Sequence, residues 1–328
     1  VAHDPSALDT NPSDGSMLSP LLGARSRLLW GGPSARSGTV PVGEPPVRFH
    51  PGPTFVHEDW RHGIAFGLPL LEAGEAAGLV QPGHLRLGHE NGENGFTWNV
   101  FMGLREAGLL GAAAAVLLGR DLPEPGEPEP ALHLWGLSVG PRGLAPWPEL
   151  ATVQDALEGD LPHYERPGPP DVALRLPHGG GWLLVDARLA GPIATLAGRP
   201  EAVDEWAARY APLPGEPFDR ATLQAERCAS FPHRILAHAA YASTLTFGGR
   251  TGVAAVAALS LEAQEGAYEL WTRRHLRAGG PVGFHSATWE SLYALLPADA
   301  SGPAARLRQW FERKSLGLRP AFPSIAAA

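Results

Sequence analysis

The stretch from residue 170 to residue 189 constrains the fold more than any other part of the chain. It begins with an alternating run, residues 171–176, and continues after a short connection into an apolar run that starts at Trp182. Alternation is typical of a strand with one polar face, whereas a continuous apolar run is typical of a strand buried on both faces. The connection, residues 177–181, contains three glycines, which tolerate the positive φ angles of a tight turn. The stretch therefore predicts a β-hairpin within an α/β fold that has a central mixed sheet.

Charged residues interrupt the second strand of this hairpin. Asp186 and Arg188 stand two positions apart, so both side chains point to the same face of the strand. Asp171 opens the first strand and reaches that face if the hairpin register brings it there. Because an unpaired charge is costly to bury, the two acids and the cation predict a site for a hard divalent metal and a phosphate. The alternative is an exposed Asp186–Arg188 ion pair at the end of the strand.

The same residues carry a resemblance to a known family. Pro170-Asp171, a hairpin, and then the Asp-x-Arg of Asp186 and Arg188 resemble the motif of the PD-(D/E)XK nuclease superfamily, whose usual Glu-x-Lys is replaced here. The resemblance implies a restriction-endonuclease-like core in which Asp171 and Asp186 bind Mg²⁺ or Mn²⁺. In that family the lysine orients the attacking water. Since arginine stays protonated, Arg188 is expected to bind a phosphate oxygen instead, and Lys314, the only lysine of the chain, is far from the hairpin in sequence.

A helix is predicted over residues 93–119, where apolar residues recur at three- and four-residue spacings. Its first residue, Glu93, matches an acidic residue that faces the metal site from the first core helix in some branches of the superfamily. The resemblance therefore implies that Glu93 is a third catalytic and metal-binding acid. The alternative is that Glu93 only complements the positive end of the helix dipole.

Basic residues after the hairpin are the candidates for contacts with DNA. A helix predicted over residues 226–247 carries His233 and Arg234 on the segment that, by the resemblance, presents polar side chains to the site; a solvated polar face is the alternative. Arg273 and Arg274 belong to the densest basic cluster and are candidates for contacts with the phosphate backbone. The net charge of −8 gives no support to a protein that coats nucleic acid generally, so DNA binding would depend on such local patches.

The chain divides by composition into two parts. Residues 1–85 are rich in proline and glycine and predict a largely irregular N-terminal extension. Residues 86–328 predict the α/β core, in which residues 253–261 form a further buried strand. The last third predicts a helical C-terminal part, with one helix over residues 303–316 and another that starts at Ser286 or Thr288. With 328 residues and 44% hydrophobic content, the chain is long enough to bury a large core.

The sequence also bears on the compartment. Cys228 is the only cysteine, which excludes a disulfide framework. The chain does not begin with a basic segment followed by an apolar run, and its most apolar segment, residues 107–119, is too short to cross a bilayer. We expect an intracellular, cytoplasmic protein with no membrane partner.

Two functions are consistent with these residues. The first is a Mg²⁺- or Mn²⁺-dependent nuclease that hydrolyses DNA phosphodiester bonds, which three acids in metal-binding positions favour. The second is a catalytically degenerate nuclease fold that binds a nucleic acid or a protein partner without cutting it. This second function is favoured by arginine in place of lysine, by aspartate in place of glutamate and by the acidic net charge. A homodimer is left open.

Overall fold

The computed structural model describes most of the chain from residue 55 onward. The described residues are 47–49, 55–89, 92–121, 126–162, 166–189, 200–210, 213, 216–225, 233–247, 252–260, 272–316, 319–322 and 325. Most of the predicted N-terminal extension, and the start of the helix predicted over residues 226–247, lie outside them.

Helices and strands alternate irregularly along these ranges. The helices are α1 (Leu68–Ala76), α2 (Glu93–Glu106), α3 (Leu110–Leu118), α4 (Pro148–Glu158), α5 (Pro200–Tyr210), α6 (Arg220–Ala225), α7 (His233–Phe247), α8 (Trp289–Tyr293) and α9 (Gly302–Arg313). The strands are β1 (Val47–Phe49), β2 (Phe55–His57), β3 (Ala131–Leu134), β4 (Leu137–Val139), β5 (Leu144–Pro146), β6 (Val172–Leu176), β7 (Gly181–Ala187), β8 (Val253–Ser260), β9 (Val282–Thr288), β10 (Ser315–Leu316) and β11 (Arg319–Pro320). Within the described ranges, no helix combines the length and the apolar character needed to cross a bilayer.

Seven strands form the central sheet, in the order β5-β4-β3-β6-β7-β8-β9. Neighbours are antiparallel from β5 to β7, and β7, β8 and β9 run parallel to one another. Almost every residue of β7 and β8 is buried, as expected for parallel strands that are covered on both faces. The predicted α/β class with a mixed sheet flanked by helices is therefore confirmed.

Alternate residues of β7 face two different cores. Leu183 and Val185 pack with residues of α2, α3 and α9, whereas Trp182 and Leu184 pack with residues of α4, α5 and α7. This division follows from the two-residue period of a strand. Asp186 has the parity of Leu184, so its side chain leaves the strand on the α7 side. The sheet therefore fixes which helix supplies the charge that faces Asp186.

The helix predicted over residues 93–119 is two helices, α2 and α3. The break lies at Gly108, whose φ of +67° is the left-handed conformation that ends helices. The N–H of Gly108 donates to the Arg105 carbonyl and that of Leu109 to the Leu104 carbonyl, which is the hydrogen-bond pattern of a Schellman motif. One apolar periodicity therefore continues through two helices that a glycine separates.

The C-terminal part is less helical than predicted, because β9 joins the sheet there. Ser286 lies within β9, so the prediction of a helix start at Ser286 is wrong. Thr288 is the N-cap of α8: its side chain accepts from the Ser291 N–H, and the Ser291 Oγ accepts from the Thr288 N–H. The predicted helix over 303–316 ends earlier, at Arg313.

Residues 55–89 lie mostly in the part predicted to be irregular, yet they contribute to the core. Phe66, Leu71 and Val80 are buried in the cluster beneath α2. Asn99 of α2 holds this segment, since its Oδ1 accepts from the backbone N–H groups of Ala65 and Phe66 at 2.6 and 3.3 Å. The helix that carries Glu93 is thereby anchored to the N-terminal segment.

At Gly181, the first residue of β7, the backbone of the hairpin lies very close to the start of β8. Gly181 has φ +103°, and a Cβ placed there would lie 2.0 Å from the Val253 carbonyl oxygen. Gly179 also has a positive φ, +70°, but a Cβ placed there would have no atom of another described residue within 4 Å beyond its two chain neighbours. We expect Gly179→Ala to cost about 1–2 kcal/mol of unfolding free energy for the left-handed backbone. Gly181→Ala should cost about 3 kcal/mol or more, because the backbone clash adds to it. Denaturant unfolding measures both; equal effects would contradict the close approach.

Candidate functional site

Two carboxylates meet at the end of the β6–β7 hairpin. The register pairs Val172 with Val185, so Asp171, which immediately precedes β6, lies across from Asp186. Asp171 is 8% exposed and Asp186 is 1% exposed. The Oδ2 of Asp171 accepts a hydrogen bond of 2.8 Å from the Ala187 N–H. The hairpin thus brings the two predicted acids together.

The guanidinium of Arg234 joins these two acids. Its Nη2 lies 2.9 Å from Asp171 Oδ1, and its Nη1 lies 3.2 Å from Asp186 Oδ1. The same Nη2 also donates to the Pro169 carbonyl at 3.2 Å. Arg234 is the second residue of α7, which packs against β7 and β8. Helix α7 therefore presents an arginine to the carboxylates; the predicted contact of Arg234 with a substrate stays a prediction.

A second guanidinium, that of Arg188, lies between Asp186 and Glu93. Its Nη2 is 2.9 Å from Asp186 Oδ1, and its Nη1 is 3.0 Å from Glu93 Oε2. The other oxygen of Glu93 accepts from the Leu189 N–H at 3.2 Å. Glu93, the first residue of α2, therefore reaches the site from the opposite face of the sheet. Both of its carboxylate oxygens are directed at the chain segment just beyond β7.

The backbone of Arg188 is fixed on both sides of the residue. Its N–H donates to the Leu259 carbonyl at 2.7 Å, which extends the parallel pairing of β7 with β8 by one residue. Its carbonyl accepts from the Trp289 Nε1–H at 2.8 Å. Trp289 is fully buried at the start of α8. The backbone position of Arg188 is therefore set by the sheet and by a helix outside the hairpin.

Burial and charge balance define the electrostatics of this ion network, the side chains of Glu93, Asp171, Asp186, Arg188 and Arg234. Three carboxylates and two guanidiniums leave a formal charge of −1. Burial raises the pKa of Asp171 above its usual range, and the cation of Arg234 opposes that shift. Burial alone would lower the pKa of Arg188, but Asp186, Asp171 and Glu93 outweigh it and raise that pKa above its ordinary value. Arg188 is therefore a permanent cation and cannot serve as a base.

Two buried atoms of the network have no hydrogen-bond partner within the described ranges. They are Asp186 Oδ2 and Arg188 Nε. Buried polar atoms are nearly always paired in folded proteins, and a buried charge is costly unless its hydrogen-bonding capacity is satisfied. These two atoms therefore mark the place in the network where a ligand would gain contacts.

The described residues contain no group of three or more His, Cys, Asp or Glu side chains close enough to hold a metal. Asp171 and Asp186 share Arg234, whereas Glu93 faces Arg188. The third predicted metal ligand is thus directed at a guanidinium rather than at the two aspartates.

The other predicted substrate contacts, His233, Arg273 and Arg274, are not among the side chains that define the ion network. His233 is the residue before Arg234, and since successive helical side chains diverge by about 100°, the two do not share a face of α7. Arg273 and Arg274 are exposed and precede β9; the Arg273 guanidinium lies 5.9 Å from the ring centroid of Phe284. Strand β9, against which Arg273 lies, is separated from β7 by β8. The contact of Arg273 and Arg274 with DNA phosphates stays a prediction.

His238 lies beside the ion network, on the helix for which the sequence left two alternatives: side chains presented to the site or a solvated polar face. It lies one helical turn after Arg234, is fully buried, and its Nε2 is 3.4 Å from the Gly168 carbonyl. Burial first, and then the Arg234 cation, lower its pKa to about 3. Since a carbonyl only accepts, Nε2 carries the proton of the neutral ring. His238 therefore holds the segment that leads into Asp171, and its spacing of four residues from Arg234 was the signal in the sequence.

The depressed pKa of His238 predicts a pH dependence of stability. The unfolded histidine binds a proton below about pH 6.5, whereas the folded one does so only near pH 3. Stability from this group is complete above pH 6.5 and is lost as the pH falls below that value. When the pH is lowered from 7.5 to 5, the free energy of unfolding of the wild type should fall by about 2 kcal/mol more than that of His238→Gln. Denaturant unfolding at both pH values measures the difference, with His62→Gln, at an exposed histidine, as the control. An identical pH dependence in wild type and His238→Gln would contradict it.

Comparison with known proteins leaves the site to be interpreted from its own residues. No family model, no curated protein and no solved structure matches the chain. The resemblance to the PD-(D/E)XK superfamily therefore rests on the motif around Asp171, Asp186 and Arg188.

Proposed function

We propose that the chain is a divalent-metal-dependent nuclease that hydrolyses DNA phosphodiester bonds. The observation that carries the proposal is Asp186, a buried carboxylate held beside a second acid at the end of the hairpin, whose Oδ2 has no hydrogen-bond partner among the described residues. A fold without a ligand at this place has no need to bury these charges, since apolar residues would fill the volume at lower cost.

The donor set fits Mg²⁺ or Mn²⁺. Magnesium in proteins is usually held by one or two carboxylates together with water and substrate phosphates, so Asp171 and Asp186 meet the requirement without a third acid. When bound there, the metal would lower the pKa of a coordinated water and neutralise charge that develops on the phosphate. Asp186 would bind through Oδ2, the oxygen that has no partner within the described ranges.

The other three residues of the ion network would bind the phosphate or hold the binding side chains in position. Arg188 would hold a phosphate oxygen, because its Nε is without a partner in the described residues and its charge is permanent. Glu93 orients Arg188 by accepting from Nη1 at 3.0 Å. Arg234 faces both aspartates. In this assignment Glu93 positions Arg188. The resemblance implied instead that Glu93 binds the metal directly.

The order of the elements also supports the proposal. Helix α2 with Glu93, the hairpin with both aspartates and helix α7 with Arg234 follow one another in the order that the resemblance implies. All three reach the same end of the sheet. A restriction-endonuclease-like core is accordingly part of the proposal.

Replacing Asp186 by asparagine tests the proposal directly. Asp186→Asn keeps the shape of the side chain but removes the charge that a metal needs. We expect metal-dependent cleavage of DNA to fall about a hundredfold or more, a loss of about 3 kcal/mol in transition-state stabilisation. The matched control is Asp160→Asn, at an exposed aspartate that pairs with Arg209. Cleavage is measured with Mg²⁺ and with Mn²⁺, after circular dichroism has shown that each variant is folded. Full cleavage by folded Asp186→Asn would refute the assignment.

A second candidate is a nuclease-like fold that binds a nucleic acid or a protein without cutting it. The specific observation in its favour is that protein donors already satisfy both oxygens of Asp171 and of Glu93. The two guanidiniums thereby do part of what a metal would do. Robust turnover by the purified wild type that Asp186→Asn abolishes would exclude this candidate.

Arg188→Lys tests whether the arginine is a weak substitute for the lysine of the family. Two different nitrogens of Arg188 contact Asp186 and Glu93, whereas a lysine has one nitrogen and cannot reproduce both contacts. We therefore expect Arg188→Lys to lower cleavage about tenfold, or about 1.4 kcal/mol. Arg209→Lys, at an arginine that contacts Asp160 with two nitrogens, is the control. Higher cleavage in Arg188→Lys would mean that the site works better with an ammonium.

A further inference from the structure

Arg234 bridges the two aspartates that the proposed metal would bind. Asp171 has no oxygen free of a donor, because Oδ2 accepts from the Ala187 N–H and Oδ1 lies 2.9 Å from Arg234 Nη2. Asp186 differs: its Oδ1 contacts both guanidiniums, and its Oδ2 has no partner in the described residues. Each oxygen of Asp171 thus already accepts from one donor, so a divalent ion that binds both aspartates would share a carboxylate oxygen with Arg234 or with the Ala187 N–H.

We infer that Arg234 is a built-in counter-ion that must leave Asp171 before a divalent metal binds both aspartates. The inference rests on the proposed function. A guanidinium and a metal on the same carboxylate would lie only a few ångströms apart inside the protein, where like charges repel strongly. Burial also makes it costly to leave the two aspartates without any cation. Arginine and metal thus alternate as the partner of Asp171.

Charge balance links this exchange to the substrate. The ion network carries −1 as it stands, and a divalent metal would change that to +1. A phosphodiester brings −1, and an arginine released from Asp171 is suited to bind its oxygens. Metal and DNA phosphate should therefore bind together more tightly than either binds alone, and this coupling is reciprocal.

The test is the affinity for Mn²⁺ alone, measured by electron paramagnetic resonance in the absence of DNA. Arg234→Met keeps an unbranched side chain and removes the charge. Arg209→Met is the matched control, since Arg209 is also a half-buried arginine that contacts a carboxylate and a backbone carbonyl, those of Asp160 and Leu157. We expect Arg234→Met to bind Mn²⁺ at least tenfold more tightly than the wild type, and Arg209→Met to bind like the wild type.

Other outcomes separate this inference from the proposed function. Equal or weaker Mn²⁺ binding by folded Arg234→Met, with binding by the wild type, overturns the counter-ion role and leaves the metal site standing. Absence of Mn²⁺ binding in both proteins overturns the metal site and with it the proposed function. If Arg234→Met does not fold, Arg234→Lys takes its place: one ammonium cannot hold both aspartates, so affinity should rise several-fold, and an unchanged affinity overturns the inference.

The coupling has its own measurement. A short phosphorothioate DNA duplex, which resists hydrolysis, should raise the Mn²⁺ affinity of the wild type at least tenfold. The same duplex should raise the affinity of Arg234→Met by a smaller factor, because the variant has no guanidinium to transfer. An equal effect of the duplex on both proteins would show that Arg234 does not link metal to phosphate.

Discussion

The burial of Asp186 is the constraint on which the arrangement of the site depends. A carboxylate that is 1% exposed at the end of a central strand requires compensation, because the desolvation of an unpaired charge costs several kcal/mol. Two guanidiniums supply it, one from the residue just beyond β7 and one from α7. Each guanidinium in turn requires a further acid, Glu93 for Arg188 and Asp171 for Arg234. The charge of Asp186 is thus compensated by a network of residues from both faces of the sheet.

The mixed sheet makes this convergence possible. Strand β7 pairs antiparallel with β6 and parallel with β8, so it is the strand at which the direction of pairing changes. The antiparallel partner places Asp171 next to Asp186 at the end of the hairpin. The parallel partner fixes Arg188, because the Leu259 carbonyl accepts from its N–H. Helices α2 and α7 cover opposite faces, and the first turn of each points a charged side chain toward this end of β7. A fully antiparallel sheet would lack the crossover helix that carries Arg234.

The sequence was sufficient for the hairpin, for its acids and for the sheet class, because those follow from local periodicity and from a two-residue spacing on one strand. It was not sufficient for β9, since the prediction there used only the capping pattern of a helix start at Ser286 or Thr288, and the strand before it was not predicted. Nor did it indicate that Glu93 would face Arg188 rather than the aspartates, or that Arg234 would bridge them. Those choices depend on how α2 and α7 pack against the sheet, and helix packing is not encoded in the spacing of a motif.

The guanidiniums also determine which chemistry the site can perform by itself. A lysine in a buried network has a pKa that its neighbours can shift, so it can exchange a proton near neutral pH. Arg188 cannot, because its acidic neighbours raise its pKa further above its ordinary value. Within the ion network, burial shifts the pKa of Asp171 upward, but its oxygens are already bound to Ala187 and Arg234. The network by itself therefore holds charges in place without moving a proton. In the proposed nuclease the nucleophile would therefore come from a metal-bound water, and the proposed exchange between Arg234 and the metal would govern the site.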